Sequence, residues 1–158
     1  MKIGVVADTH SRDLPKQMLE DFKTVDLIIH AGDFCCREVF NVFKGLNEVK
    51  AVWGNMDDGE MRHLLPRRQI IKCGQFHIGL FHGEGPPKTL LDVVKNEFKN
   101  DRVDVVIFGH SHQPLNQEAG GVLYFNPGSP NDTLYAPYRS YGILEINDKI
   151  SGKIIKIK

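Results

Sequence analysis

The chain has 158 residues, with Lys plus Arg and Asp plus Glu at 20 each and a formal charge of zero. That length suits one domain over residues 1–158, and the balanced charge excludes a whole-molecule field that would gather nucleic acid or anionic lipid, so any affinity for phosphate must be local. Cys35, Cys36 and Cys73 cannot all pair within one chain and form no C-x-x-C motif, the N-terminal run meets Asp8 before it could make a signal core, and no apolar run reaches membrane length; a cytoplasmic protein is expected.

Residues 2–7 are a short run rich in β-branched side chains, ended by Asp8-Thr9-His10-Ser11, and predict a strand buried on both faces that stops at a loop. Leu14, Met18 and Phe22 then recur at helical spacing, and a second apolar run over 25–30 stops at Ala31-Gly32-Asp33. Val39, Phe40, Phe43 and Leu46 mark another amphipathic helix before a strand over 48–53 that breaks at Gly54-Asn55. Such β/α alternation implies a parallel sheet with right-handed crossovers. Residues 69–72 and 75–81, parted by Cys73-Gly74, predict a hairpin whose second arm ends at His82-Gly83. Pro86-Pro87 open a third helix with Leu90, Leu91, Val94 and Phe98 as its buried stripe, and a strand over 103–108 ends at Gly109-His110-Ser111-His112. Short strands follow over 122–125, 141–146 and 154–157, joined by turns at Asn126-Pro127-Gly128-Ser129, Asn147-Asp148 and Ser151-Gly152. With no helical pattern among them, they are expected to form a second, largely antiparallel sheet. The predicted fold class is α/β: a two-sheet β-sandwich flanked by helices.

Asp8, His10, Asp33, Asn55, His82, His110 and His112 all lie at or just beyond predicted strand ends. Loops leaving the carboxyl ends of strands converge in space, so residues far apart in sequence can share one site. Their oxygen and nitrogen donors suit manganese, iron, cobalt, nickel or zinc without a thiolate. Seven donors exceed what one such ion with an open position needs; two ions sharing a carboxylate account for the number. Each motif alone has a plainer reading. Asp-x-His after a strand is commonly a capped turn, Gly-Asn a left-handed turn and Gly-Asp a loop opening. His30, His63 and His77 read as structural, although His30 stands close enough to Asp33 to orient it. The cysteines read as small buried residues.

In their order, Asp8-Thr9-His10, Gly32-Asp33, Gly54-Asn55, His82-Gly83 and Gly109-His110-Ser111-His112 resemble the signature of the calcineurin-like metallophosphoesterases, in their small branch of phosphodiesterases and Vps29-like proteins. The resemblance implies Asp8, His10, Asp33 and His112 on one metal ion and Asp33, Asn55, His82 and His110 on the other, with Asp33 the bridge. It implies catalysis centred on Asp33, Asn55 and His82, two divalent ions (manganese foremost, with nickel, iron, cobalt or zinc as alternatives) and a hydroxide held between them as nucleophile. The expected substrate is a small phosphodiester; a phosphomonoesterase and a Vps29-like protein-interaction scaffold are the alternatives. A scaffold has no physical use for four imidazoles beside two carboxylates. No stable nucleic-acid or membrane partner is expected, and a homodimer is left open. Two departures stand out. Many relatives carry a histidine after the glycine-asparagine pair as proton donor, where this chain has Met56, leaving Asp57 or solvent to serve; and in Gly32-Asp33-Phe34-Cys35-Cys36-Arg37 only Arg37 matches the family's Asp-Arg-Gly ending.

Overall fold

The computed structural model describes residues 1–10 and 13–158; Ser11 of the first motif lies outside them. In chain order the elements are β1 (Lys2–Val6), α1 (Lys16–Phe22), β2 (Leu27–His30), α2 (Arg37–Lys44), β3 (Val49–Ala51), α3 (Gly59–Leu64), β4 (Arg68–Cys73), β5 (Phe76–Phe81), α4 (Leu90–Glu97), β6 (Val105–Ile107), β7 (Leu115–Ala119), β8 (Val122–Asn126), β9 (Ser140–Ile146) and β10 (Ile150–Lys156). Two five-stranded sheets result, ordered β10-β9-β1-β2-β3 and β4-β5-β6-β8-β7. Strands β1, β2 and β3 are parallel, as the alternation with α1 and α2 requires. Strands β4 and β5 form the expected hairpin, and β5, β6 and β8 run parallel.

The last strands depart from expectation. Instead of a largely antiparallel second sheet, β9 and β10 join the first sheet, β9 lying antiparallel to β1 with Leu144 opposite Ile3, and the second sheet is mixed. Residues 140–144 are buried without interruption, which suits an interior strand rather than a two-sided edge. Helix α3 escaped prediction because only Met61 of its six residues is buried; Asp58 caps it by accepting the Met61 N–H at 2.8 Å. Strand β7, Leu-Asn-Gln-Glu-Ala, is polar and half exposed, a sheet edge without an apolar run. Pro86-Pro87 sit in a turn ahead of α4, which starts at Leu90.

Between the sheets lies a core of Ile3, Val5, Ile29, Ile78, Leu80, Ile107, Phe125 and Leu144. Met18, Phe22, Phe34, Phe43 and Tyr141 pack under α1 and α2, while Leu90, Val94 and Phe98 pack α4 on the second sheet. Phe125 crosses from β8 to fill the room left by two glycines: a Cβ on Gly142 would stand 2.3 Å from its ring and one on Gly152 2.7 Å. Truncating a fully buried ring of this kind forfeits its transfer energy and leaves a cavity. Phe125→Ala is accordingly expected to cost about 3–5 kcal/mol, read as a lower urea midpoint at unchanged slope. Among the described residues no helix is long and apolar enough to cross a membrane.

Candidate metal centre

Each parallel strand delivers its motif to the same side. Asp8 and His10 follow β1, Asp33 follows β2, Asn55 follows β3, His82 follows β5, and His110 and His112 follow β6. The turns are tight. Asp8, His10, Asp33, His110 and His112 all have positive φ, between 51° and 69°, a left-handed backbone that costs a non-glycine residue about 1–3 kcal/mol and persists where the surroundings over-determine it. Here the loops are laced to one another. Asp8 N–H donates to Gly32 O at 3.0 Å, His10 N–H to Asp33 O at 3.0 Å, Gly109 N–H to His82 O at 3.0 Å and His110 N–H to Asp8 Oδ2 at 3.0 Å. Gly54 and Gly109 let the strand ends close in, since a Cβ on Gly54 would meet Asp33 Oδ1 at 2.2 Å and one on Gly109 would meet Asp8 Oδ2 at 2.8 Å.

All seven predicted residues are brought together. His10 Nε2 and His112 Nε2 are 3.0 Å apart, and Asp8 Oδ1 is 3.9 Å from the first and 3.5 Å from the second. Asp33 Oδ2 lies 3.3 Å from His82 Nε2 and 4.0 Å from His10 Nε2, so its carboxylate faces both groups. Asn55 Oδ1 is 3.1 Å from His82 Nε2 and 2.9 Å from His110 Nδ1.

The imidazoles share one arrangement. His82 Nδ1 donates to Ala31 O at 2.7 Å, His110 Nε2 to Gly85 O at 2.8 Å, and His112 Nδ1 lies 2.5 Å from Asp132 Oδ2, while His10 Nδ1 faces Cys35 Sγ at 3.5 Å. In a neutral ring an N–H given to an outer carbonyl or carboxylate leaves the other nitrogen as a lone pair, and in all four rings the nitrogen away from these outer partners points inward. The inward nitrogens thus meet the Asn55 oxygen and two carboxylates, and His82 carries a proton there for Asp33. Donors about 2.1 Å from a common ion stand roughly 3.0–3.5 Å from one another, and the separations here have that scale. The residues fit divalent cations.

Charge in this cluster is finely opposed. Burial, with Asp33 adding to it, pushes the Asp8 carboxyl up to about 7 against the pull of His82 and His112. Burial would lower His82, but the hydrogen bond it donates to Asp33 and the charges of Asp8 and Asp33 carry it up to about 9. Asp33 is itself held below its usual range, burial being outweighed by His82, the Met56 N–H and His10. For His82 and Asp33 the counter-charge each supplies to the other outweighs burial, whereas for Asp8 burial wins.

Sequence reasoning missed Asp132, whose carboxylate orients His112. Burial would raise it, yet the N–H groups of Leu134 and Tyr135 and the His112 ring hold it down at about 2. Its only signal was a polar residue shortly after the Asn126-Pro127-Gly128-Ser129 turn. His30 is placed as a support: Nδ1 accepts the Gly32 N–H at 3.1 Å, Nε2 meets Thr9 Oγ1 at 3.2 Å, and the ring stacks on Phe34 at 3.4 Å. It thus props the residues beside Asp33 and His10 without touching the Asp33 carboxylate. Cys35 and Cys36 are half-buried rather than buried, whereas Cys73 is buried.

Asp57 is engaged by backbone N–H groups. Its Oδ2 accepts the N–H of Asp33 at 3.0 Å and of Gly54 at 2.7 Å, and its Oδ1 that of Cys35 at 2.7 Å, so both oxygens are spent on clamping the Asp33 and Asn55 loops together. Arg37 pairs with Glu60 at 2.6 Å.

An α/β sandwich with histidines, aspartates and an asparagine gathered at its strand ends is the framework of a metal-dependent hydrolase. A model of the calcineurin-like phosphoesterase superfamily domain matches residues 1–149. The chain is 38% identical to the probable metallophosphoesterase MJ0623 of Methanocaldococcus jannaschii over 163 aligned positions, covering 100% of this chain and 82% of that relative. Among solved structures it resembles an archaeal phosphodiesterase (TM-score 0.80, 26% identity, 99% of this chain and 100% of the other) and Vps29 of Entamoeba histolytica complexed with zinc (TM-score 0.75, 27% identity, 99% of each). The chain belongs to the calcineurin-like phosphoesterase superfamily and is a hydrolase of phosphate esters.

Proposed function

We propose that the chain is a phosphodiesterase for small diesters that works with two divalent ions, one held by Asp8, His10, Asp33 and His112 and the other by Asp33, Asn55, His82 and His110. The observation that carries this reading is the shared orientation of the imidazoles, each engaged at its outer nitrogen and aiming the other at two buried carboxylates and the Asn55 oxygen. Divalent ions in such a centre supply Lewis acidity toward phosphoryl oxygens and acidify water at neutral pH. The mixed nitrogen and oxygen donor set accommodates manganese, nickel, iron, cobalt or zinc, and manganese is the ion proposed first.

The chain's own residues argue for a diester. The clefts bordering His10, His110 and His112 have no Lys or Arg in their lining among the described residues, so little beyond the ions would offset the second negative charge of a monoester. The similarity to an archaeal phosphodiesterase points the same way. Met56 offers no proton, and Asp57 is engaged by backbone N–H groups, so esters with acidic alcohols are favoured. With manganese, bis(p-nitrophenyl) phosphate should be cleaved faster than p-nitrophenyl phosphate, and rates across aryl diesters should fall steeply as leaving-group pKa rises. A faster monoester, or no stimulation by any of the five metals, would refute the reading.

Asp132 should act through His112. Outer carboxylates that fix a liganding histidine are worth about 10–100-fold in metal affinity. Asp132→Ala is expected to weaken manganese binding by that factor in calorimetric titration, and an unchanged affinity would remove Asp132 from the site.

A further inference from the structure

Beside the centre, a cleft of about 340 Å³ has His10 and His112 on one side and Cys35, Met56, Leu134 and Tyr135 around it. That volume lies within the range of small-molecule pockets, about 300–1,000 Å³. Leu134 and Tyr135 are 81% and 75% exposed, although both are large and apolar, and Met56 is 58% exposed. Solvent exposure of three such side chains around one cleft is not what packing alone would produce.

Nor is the segment that presents them loose. Asp132 accepts the N–H groups of Leu134 at 2.8 Å, Tyr135 at 3.2 Å and Ala136 at 3.1 Å. Ser129 Oγ donates to Asp8 O at 2.8 Å, and Asn131 Nδ2 donates to Thr9 O at 2.8 Å. The backbone beneath the two apolar side chains is therefore fixed from the same carboxylate that orients His112. Tyr135 and His112 also line a second cleft of about 250 Å³, with Pro87, His110 and Gln113. Two clefts that share His112 and Tyr135 match an ester whose phosphorus carries two organic arms.

Resting on the phosphodiesterase reading, we infer that the 131–136 loop is the recognition element for the organic group of the substrate, with Tyr135 and Leu134 seating a flat aromatic arm of the diester in the cleft beside His10. The chemistry of the wall selects an aromatic over a short alkyl arm: a phenol ring, a thioether and a thiol are polarisable groups that pack favourably on ring faces and edges. A preformed loop adds affinity because little ordering remains to be done on binding.

Two substrates with the same leaving group isolate this contact. Bis(p-nitrophenyl) phosphate and methyl p-nitrophenyl phosphate both release p-nitrophenolate, and differ only in the arm that stays on phosphorus. The readout is the ratio of their kcat/KM values on manganese-loaded protein. Tyr135→Ala should lower that ratio about three- to tenfold, mainly through KM for the bis-aryl diester, Leu134→Ala should lower it less, and Tyr135→Phe should keep it within about twofold. Both side chains are exposed, so folding is not at risk. A ratio unmoved by Tyr135→Ala and by Leu134→Ala, with both diesters still hydrolysed, overturns the inference alone. Failure of the wild-type protein to cleave either diester overturns it together with the phosphodiesterase reading.

Discussion

Asp33→Asn is expected to lower kcat/KM for a diester by a factor of about a thousand or more while leaving the fold in place. Asp33 is 2% exposed, and its two oxygens have separate partners: Oδ1 accepts the Met56 N–H at 2.8 Å, and Oδ2 faces His82 Nε2 and His10 Nε2. Asparagine has the same shape and can keep its carbonyl oxygen on Met56, so the loop remains supported. What it loses is the negative charge of the carboxylate whose Oδ2 stands nearest His82 Nε2, at 3.3 Å against 3.9 Å for Asp8 Oδ1, while also facing His10. Metal analysis of the purified variant should show less than the wild-type manganese content, with a urea midpoint close to wild type. A variant with normal metal content and activity within tenfold of wild type would show that Asp33 is not shared between two ions.

Gly54→Ala is expected to be nearly as damaging, through geometry alone. Its added methyl would sit 2.2 Å from Asp33 Oδ1 and 2.7 Å from Asp33 N, and backbone on one side and a buried carboxylate on the other leave no easy escape. Gly54 N–H also donates to Asp57 Oδ2, so moving this backbone disturbs the clamp that carries Asp33 and Cys35. Overpacking of this kind costs about 1–3 kcal/mol in stability, and an ångström of misplacement at a reacting centre costs on the order of a hundredfold in rate. Activity should therefore fall about a hundredfold in protein that still melts cooperatively. Full activity would mean that the two loops stand farther apart in solution.

Much of this was readable from residue order. Apolar runs that stop at Asp8, Asp33, Asn55, His82 and His110 announce both the strands and the placing of the donors, because a strand's carboxyl end and its following loop are local properties. What stayed hidden depended on partners distant in sequence. Nothing in residues 140–146 says that they pair with β1, since a short buried run looks alike in either sheet. Asp132 gained meaning only from its position beside the His112 ring, and the clamp that Asp57 makes on backbone N–H groups of Asp33 and Cys35 was equally invisible in residue order. Strand β7 lacks apolar alternation because its side chains face solvent at a sheet edge, so periodicity had nothing to register.

The donors descend from both layers: Asp8, His10, Asp33 and Asn55 from the first sheet, His82, His110 and His112 from the second. An ion seated among them would rivet the two halves of the sandwich, making the melting temperature a function of free ion concentration rather than a constant of the chain. At a hundred times the dissociation constant such linkage is worth about 2.7 kcal/mol. Thermal scans over a manganese dilution series can then double as a binding isotherm, one that needs no substrate at all.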